Sequence, residues 1–309
     1  MDNENKKKRF SWWKLVFCLF ALVFLVSGGI TAKTLIAHHR ADKAIQELRV
    51  QVQESLHSSD MSDDSAAQQP EKPEGTDPAA KEETPEKPEQ KDSAAKEEAP
   101  KRQISMDFTE LLKTNSDIKG WIYGEATNVD YPVLQTDDND FYMDHLYNKE
   151  ANSSGSIFAD YRNKSDFSDR NTVLYGHHMG NGTMFGSIER YTSQDFYEAT
   201  PTMMLYTPEG DYRIELISGT HESGDDQFVE FNFKNEEDFQ KYVESFRQRS
   251  TFKSDVQVQP GDKLISLCTC AYVFDNARFM LMGRLVPLYA DENAAKQPAP
   301  PTASPAANG

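Results

Sequence analysis

Two cysteines, Cys268 and Cys270, stand one residue apart in the last part of this 309-residue chain, and a third, Cys18, lies in an N-terminal apolar run. A bridge between residues i and i+2 of one strand is poorly placed, because both side chains leave the same face without converging. At least one free thiol follows. A free thiol on a domain carried outside a membrane needs a chemical reason, since oxidising compartments pair their thiols. No second Cys or His cluster of suitable spacing accompanies the pair, so no metal site is expected. Two buried cysteines acting as small apolar groups are the plain alternative.

A nucleophilic cysteine needs a proton-transfer partner and a group that meets the oxyanion. Four histidines lie in the same half of the chain: His145, His177, His178 and His221. His177 and His178 come directly after Gly176 at the end of a predicted strand, where a side chain can enter a cleft. Arg278 follows Cys270 by eight residues and opens the next predicted strand. A short turn between the two strands brings its guanidinium back toward the thiol. Taken singly, such a histidine reads as structural and such an arginine as a surface ion-pair partner.

The elements that must position these groups read mostly as strand. Residues 120–124, 129–135, 155–161 and 171–176 are short, aromatic and β-branched, with turn residues between them. Residues 203–207 and 212–220 flank Pro208-Glu-Gly-Asp, a hairpin signal. Residues 263–270 and 278–287 complete the set. Helix is predicted over 108–112 and 138–146, and most clearly over 236–249. There Phe239, Tyr242, Val243 and Phe246 fall on one face, with Asn235 as cap and Arg247 and Arg249 in the last turn. About eight short strands with few helices predict a closed antiparallel barrel.

Aromatic residues mark where a core can exist. None occurs between Phe24 and Phe108, so that stretch has little to bury against the entropy of ordering. The foldable part is therefore residues 108–289, enough for one domain and too little for two large ones. Net charge is −17, which argues against nucleic-acid binding through bulk charge. Much of that excess lies in residues 58–103, rich in Glu, Lys, Pro, Ala and Ser. Such a segment is expected to be an extended, disordered, solvated spacer with no specific partner, long enough to lift the domain off an anionic bilayer. Residues 291–309 form a similar low-complexity tail.

Residues 15–30 carry no charge, with Trp12 and Trp13 before them and Lys6, Lys7, Lys8 and Arg9 further upstream. Span length and the basic flank predict an uncleaved membrane anchor over 15–33, with residues 1–14 cytoplasmic and the rest outside. A cleaved signal peptide is the rival, but no Ala-x-Ala site follows. An amphipathic juxtamembrane helix is predicted over 34–57.

With these residues in view, a family resemblance can be stated. Ser266-Leu-Cys-Thr-Cys270 resembles the sortase signature Thr-Leu-x-Thr-Cys, with Ser for Thr at its start and Cys268 at x. Asn171-Thr-Val-Leu-Tyr-Gly-His177 resembles the sortase strand that ends in the catalytic histidine, and Cys270-Ala-Tyr-Val-Phe-Asp-Asn-Ala-Arg278 the stretch from nucleophile to catalytic arginine. Asp130-Tyr-Pro-Val-Leu-Gln, Asn152-Ser-Ser-Gly-Ser-Ile-Phe-Ala-Asp-Tyr-Arg-Asn163 and Tyr175-Gly-His-His-Met-Gly-Asn-Gly-Thr-Met-Phe-Gly186 resemble class B sortases. That class usually carries Asn where this chain has His178. The resemblance covers residues 108–286.

The resemblance implies an eight-stranded sortase β-barrel with a few peripheral helices, over residues 104–290. It implies a membrane-anchored cysteine transpeptidase acting on a C-terminal sorting signal of secreted proteins. Cys270 is then the nucleophile, His177 the proton-transfer group and Arg278 the oxyanion and substrate clamp. Leu267, Thr269, Met184 and Tyr191 are weaker candidates to line the peptide groove. The acceptor is an amine, either a peptidoglycan cross-bridge or a pilin lysine. No cofactor is required by the residues seen. A transpeptidase for peptidoglycan D-amino acids would carry a Ser-His-Gly-x-Cys-like run, absent here. A non-catalytic wall-binding module would not need Cys270, His177 and Arg278 together.

Overall fold

The computed structural model describes residues 12–63 and 103–289. The basic cluster at residues 6–9, most of the acidic stretch and the tail after 289 lie outside the described residues. Eight strands close into one barrel in the order β1-β2-β3-β4-β7-β8-β6-β5. They are β1 (Ile118–Tyr123), β2 (Asp130–Leu134), β3 (Ile157–Ala159), β4 (Asn171–Tyr175), β5 (Thr202–Tyr206), β6 (Tyr212–Ser223), β7 (Lys263–Cys270) and β8 (Ala277–Pro287). The barrel is mixed, not antiparallel throughout as the strand pattern alone suggested. The β2–β3 and β4–β7 pairs are parallel. Parallel neighbours require a crossover rather than a hairpin. The chain supplies one through residues 135–156, and a longer one that builds β5, β6 and a helix before returning as β7.

Inside the barrel, Ile122, Val133, Leu174, Ile265, Leu267, Phe279 and Leu281 form the main core. Alternation along β7 and β8 sends their other side chains outward. That outer face is not solvated, because a helix covers it. Among the α-helices α1 (Trp12–Asp63), α2 (Thr109–Thr114), α3 (Gln194–Ala199) and α4 (Glu236–Arg249), the last packs there. Phe239, Val243 and Phe246 of α4 meet Leu264, Met280 and Met282. Asn235 caps α4, its side chain accepting from the Asp238 N–H at 2.9 Å. β7 is therefore buried on both sides and rigid, with only its two ends partly open.

α1 is one continuous helix from Trp12 to Asp63, longer than the span and juxtamembrane segment predicted separately. Residues from Val16 onward form a helix long and apolar enough to cross a membrane. Its later turns dock on the barrel. Ala41, Leu48 and Val52 are buried, three to four residues or two turns apart on one stripe. Leu48 and Val52 join Met106, Leu111, Trp121 and Phe158 in a cluster outside β1. Asn152 donates to the Ala37 carbonyl at 2.8 Å and Tyr147 to that of Ala44 at 3.3 Å. The helix thus links the apolar span to the barrel directly. The acidic stretch comes after this contact, so it does not set the distance between span and barrel.

Candidate active site

Register sets two of the three candidate side chains opposite each other and brings the strand end that carries the third beside them. β7 and β8 pair so that Cys270 lies opposite Arg278 and Cys268 opposite Met280. β4 and β7 run parallel with Tyr175 beside Cys268. His177 follows two residues after that last pair, as Cys270 follows Cys268. Two hydrogen bonds carry the pairing past the end of β4: the Gly176 N–H donates to the Cys268 carbonyl at 3.2 Å, and the Thr269 hydroxyl to the Gly176 carbonyl at 2.7 Å. Side chains on one row share a face of the sheet.

Gly176 is needed for this strand end. A Cβ there would lie 2.3 Å from the Ile157 side chain and 2.8 Å from that of Phe185. The close approach lets the backbone pass between them and present His177. The ring is then fixed by a main-chain group, with Nε2 2.7 Å from the Met143 carbonyl. That carbonyl is held in turn by a tight loop. Gly155 has φ +58°, and a Cβ on it would lie 2.6 Å from the same oxygen.

The two cysteines differ in environment. Cys268 is buried, and burial pushes its thiol up to about 12, against a lesser pull from Arg278. It is a neutral thiol at physiological pH and a poor nucleophile. Cys270 is partly open at the strand end, and both are unbridged. After Cys270 the chain turns through Tyr272, Val273 and Phe274, all exposed. These form an apolar rim beside the thiol. Arg278 rests on its own turn, Nη1 donating to the Ala277 carbonyl at 3.0 Å and to that of Asn276 at 3.3 Å.

His178 faces a different set of partners. Its Nε2 lies 2.8 Å from Glu189 Oε2, and His221 approaches the other oxygen of Glu189 at 3.5 Å. The Tyr272 ring sits edge-on to His178 at 5.2 Å. His145 stacks on Phe141 and bonds its carbonyl, away from the cysteine row. The weaker groove candidates are all buried: Leu267 and Tyr191 in the barrel core, Met184 and Thr269 at most 5 % exposed. Leu267 and Thr269 also alternate with Cys270 along β7 and so project from its other face, and none of the four presents a surface to a peptide beside the thiol.

A sortase domain model matches residues 122–286. The chain belongs to the sortase family. Among curated relatives, sortase B of Listeria monocytogenes is 36 % identical over 186 residues, covering 60 % of this chain and 76 % of that protein. The Staphylococcus aureus sortase B–substrate complex superposes with a TM-score of 0.55 at 33 % identity, over 58 % of this chain and 84 % of that one. Clostridium perfringens sortase B gives 0.56 at 37 % identity, over 58 % of this chain and all of that one. These likenesses make this a class B sortase, and they agree with the closed eight-stranded barrel. Two features of the candidate site were not legible in the sequence. One is the Met143 carbonyl that holds His177, a main-chain group with no side-chain signature. The other is Glu189, brought to His178 by a 3-10 turn over Gly186–Thr192 that no periodicity announces.

Proposed function

We propose that this sortase cleaves a C-terminal sorting motif of secreted proteins through a thioester on Cys270 and passes the acyl group to an amine of a peptidoglycan cross-bridge. The observation that supports this reading is the pairing of Cys270 with Arg278 across β7 and β8, with His177 two residues beyond the last β4–β7 pair, Tyr175 with Cys268. The Cys270 thiolate adds to the carbonyl carbon of the motif's Thr. The carbonyl pair moves onto oxygen, facing the Arg278 guanidinium. Collapse breaks the C–N bond, and His177 gives its proton to the departing amine. The acceptor amine then adds to the thioester and returns a proton to His177. Loss of the C–S bond restores the thiolate. Tyr272, Val273 and Phe274 offer the motif an apolar rim. By this reading residues 1–14 are cytoplasmic, α1 crosses the cell membrane once, and the barrel lies outside.

A panel of pentapeptides varied around Leu-Pro-x-Thr-Gly, incubated with the full chain in detergent, tests the reading by intact mass. The expected result is an acyl adduct on Cys270 that triglycine resolves into a ligated peptide. Resolution only by a lysine side-chain amine would reassign the acceptor to a pilin-type lysine. No adduct with any member, with the thiol free and the protein folded, would sink the transpeptidase reading for this chain.

A further inference from the structure

The row through the candidate site does not end at Arg278. β8 pairs with β6 on its other side, and there Arg278 lies opposite Glu222. Directly opposed residues on neighbouring strands hold their Cβ atoms about 5 Å apart on one face. Glu222 is only 7 % exposed. Its Oε2 meets Arg249 Nη1, at the end of α4, at 3.2 Å. Its Oε1 is buried with no hydrogen-bond partner. A buried carboxylate oxygen without a partner is disfavoured. The group best placed to supply one is across the strand. Arg278 donates from Nη1 to the carbonyls of Asn276 and Ala277 in its own turn. Cys268, one step inward, feels the charges of Arg278, Cys270 and Glu222 together, which sets these groups within one electrostatic neighbourhood.

We propose that Glu222 is a positioning residue for Arg278. Its open oxygen accepts from the guanidinium when the fork leaves the turn carbonyls, and holds the fork toward Cys270. The plain alternative is that Glu222 only ties down the end of α4 through Arg249. The proposal rests on the assignment of Arg278 to the site, and its test uses no peptide, so failure of acylation and failure of this pairing are read separately.

The probes are two methanethiosulfonates, one bearing a sulfonate and one a trimethylammonium group. Their rates of reaction at Cys270 in the full chain are read by peptide mass. A guanidinium held near the thiol favours the anionic reagent, so Arg278→Gln lowers the sulfonate-to-ammonium rate ratio. Removing the charge of Glu222 would by itself raise that ratio. If Glu222 positions Arg278, Glu222→Gln instead lowers it, by about threefold or more, toward the Arg278→Gln value. Glu222→Asp recovers part of the ratio. Arg249→Ala removes a cation farther from the thiol and lowers the ratio by clearly less than Glu222→Gln does. The proposal is overturned if the ratio rises or stays level in folded Glu222→Gln. It is also overturned if Arg249→Ala lowers the ratio as much. Should Glu222→Gln not fold, Glu222→Asp decides alone: its ratio falls below the parent if the proposal holds, and equals the parent if it does not.

Discussion

Arg49 of α1 donates two hydrogen bonds to the main-chain carbonyl of Asp130, at 2.8 and 3.0 Å, and pairs with the Asp130 carboxylate at 3.0 Å. Its guanidinium also lies 5.0 Å from the centre of the Tyr131 ring. Trp121 Nε1 donates to the same carboxylate at 2.8 Å. Burial pushes the Asp130 carboxyl up, with Arg49 and Trp121 pulling against it. One helical residue is therefore clamped to the start of β2, and the helix holding it leads back to the apolar span.

The first prediction concerns that clamp. Leu48 is 2 % exposed between α1 and the barrel. Leu48→Ala should lower stability by about 2–3 kcal/mol, read as a fall in melting temperature, because the cavity adds to the lost burial. A chain cut between residues 63 and 103 should keep its barrel on the membrane through the docked helix. Adding Leu48→Asp and Arg49→Ala should release it. Release of the parent barrel on cutting alone would show that the acidic stretch is its only tether.

Much of the barrel was legible because its local signals agree. The predicted bounds of β7 and α4 coincide with those observed. β7 is β-branched and apolar after a Pro-Gly turn, and α4 combines a cap with one apolar stripe. Pairing order was not legible, since a period of two says nothing about which strand lies beside which. Residues 138–146 were expected to be helix and form only a 3-10 turn over Phe141–Met143. The reason is local: the Asp138 carboxylate accepts from the N–H groups of both Asp140 and Phe141, a side-chain turn that competes with helix. Cys270 and Arg278 were expected near each other from their spacing, and the β7–β8 register pairs them, whereas His177 was singled out by the family resemblance. Glu222 was not legible, because its relation to Arg278 exists only through β6–β8 register.

The second prediction separates the cysteines. Cys270→Ala should abolish acyl adduct formation, and Cys268→Ala should retain at least part of it. Iodoacetamide at neutral pH should label Cys270 and spare Cys268, whose burial keeps it protonated. Peptide mapping checks this. Preferential labelling of Cys268 would reverse the assignment.

The third concerns the paired histidines. His177→Ala should lose on the order of 10²–10⁴ in acylation rate, the usual range for a proton-transfer group. His178→Asn should be tolerated, because an amide can still donate to Glu189. His145 and His221 should be dispensable for the chemistry. Single-turnover rates at saturating peptide decide it, and a severe defect in His178→Asn with a mild one in His177→Ala would exchange their roles.

The fourth is a pH dependence. Burial alone would raise the Asp160 carboxyl, but hydrogen bonds from Arg162, Asn139 and Tyr175 outweigh it and hold the group below the usual carboxylate range. A depressed folded-state value means that its stabilisation is fully present above the unfolded value, about 4, and is lost as pH falls through the folded one. Asp160→Asn should therefore melt well below the parent at pH 7. The gap should close progressively as the pH drops below about 4. A gap that stays constant from pH 7 to pH 2.5 would mean that the side chain matters through packing alone.

The last concerns Arg278. In the proposed reaction the tetrahedral intermediate on Cys270 carries a negative oxygen, and the intervening turn offers Asp275 and Asn276, neither of them a cation. Arg278 is the first positive charge after the nucleophile and sits opposite it in register. Its planar fork can meet the oxygen with one N–H and a substrate carbonyl with another, which a lysine does less well. Loss of one oxyanion donor commonly costs ~10²–10³ in turnover. Arg278→Ala should fall by about that much, and Arg278→Lys should recover only a minor part. Cys270 should still react with iodoacetamide in both variants, because the thiol itself survives. If Arg278→Ala instead acylates at the parent rate with its fold intact, the oxygen must be met by backbone N–H groups around the turn after Cys270, and the arginine is a surface charge.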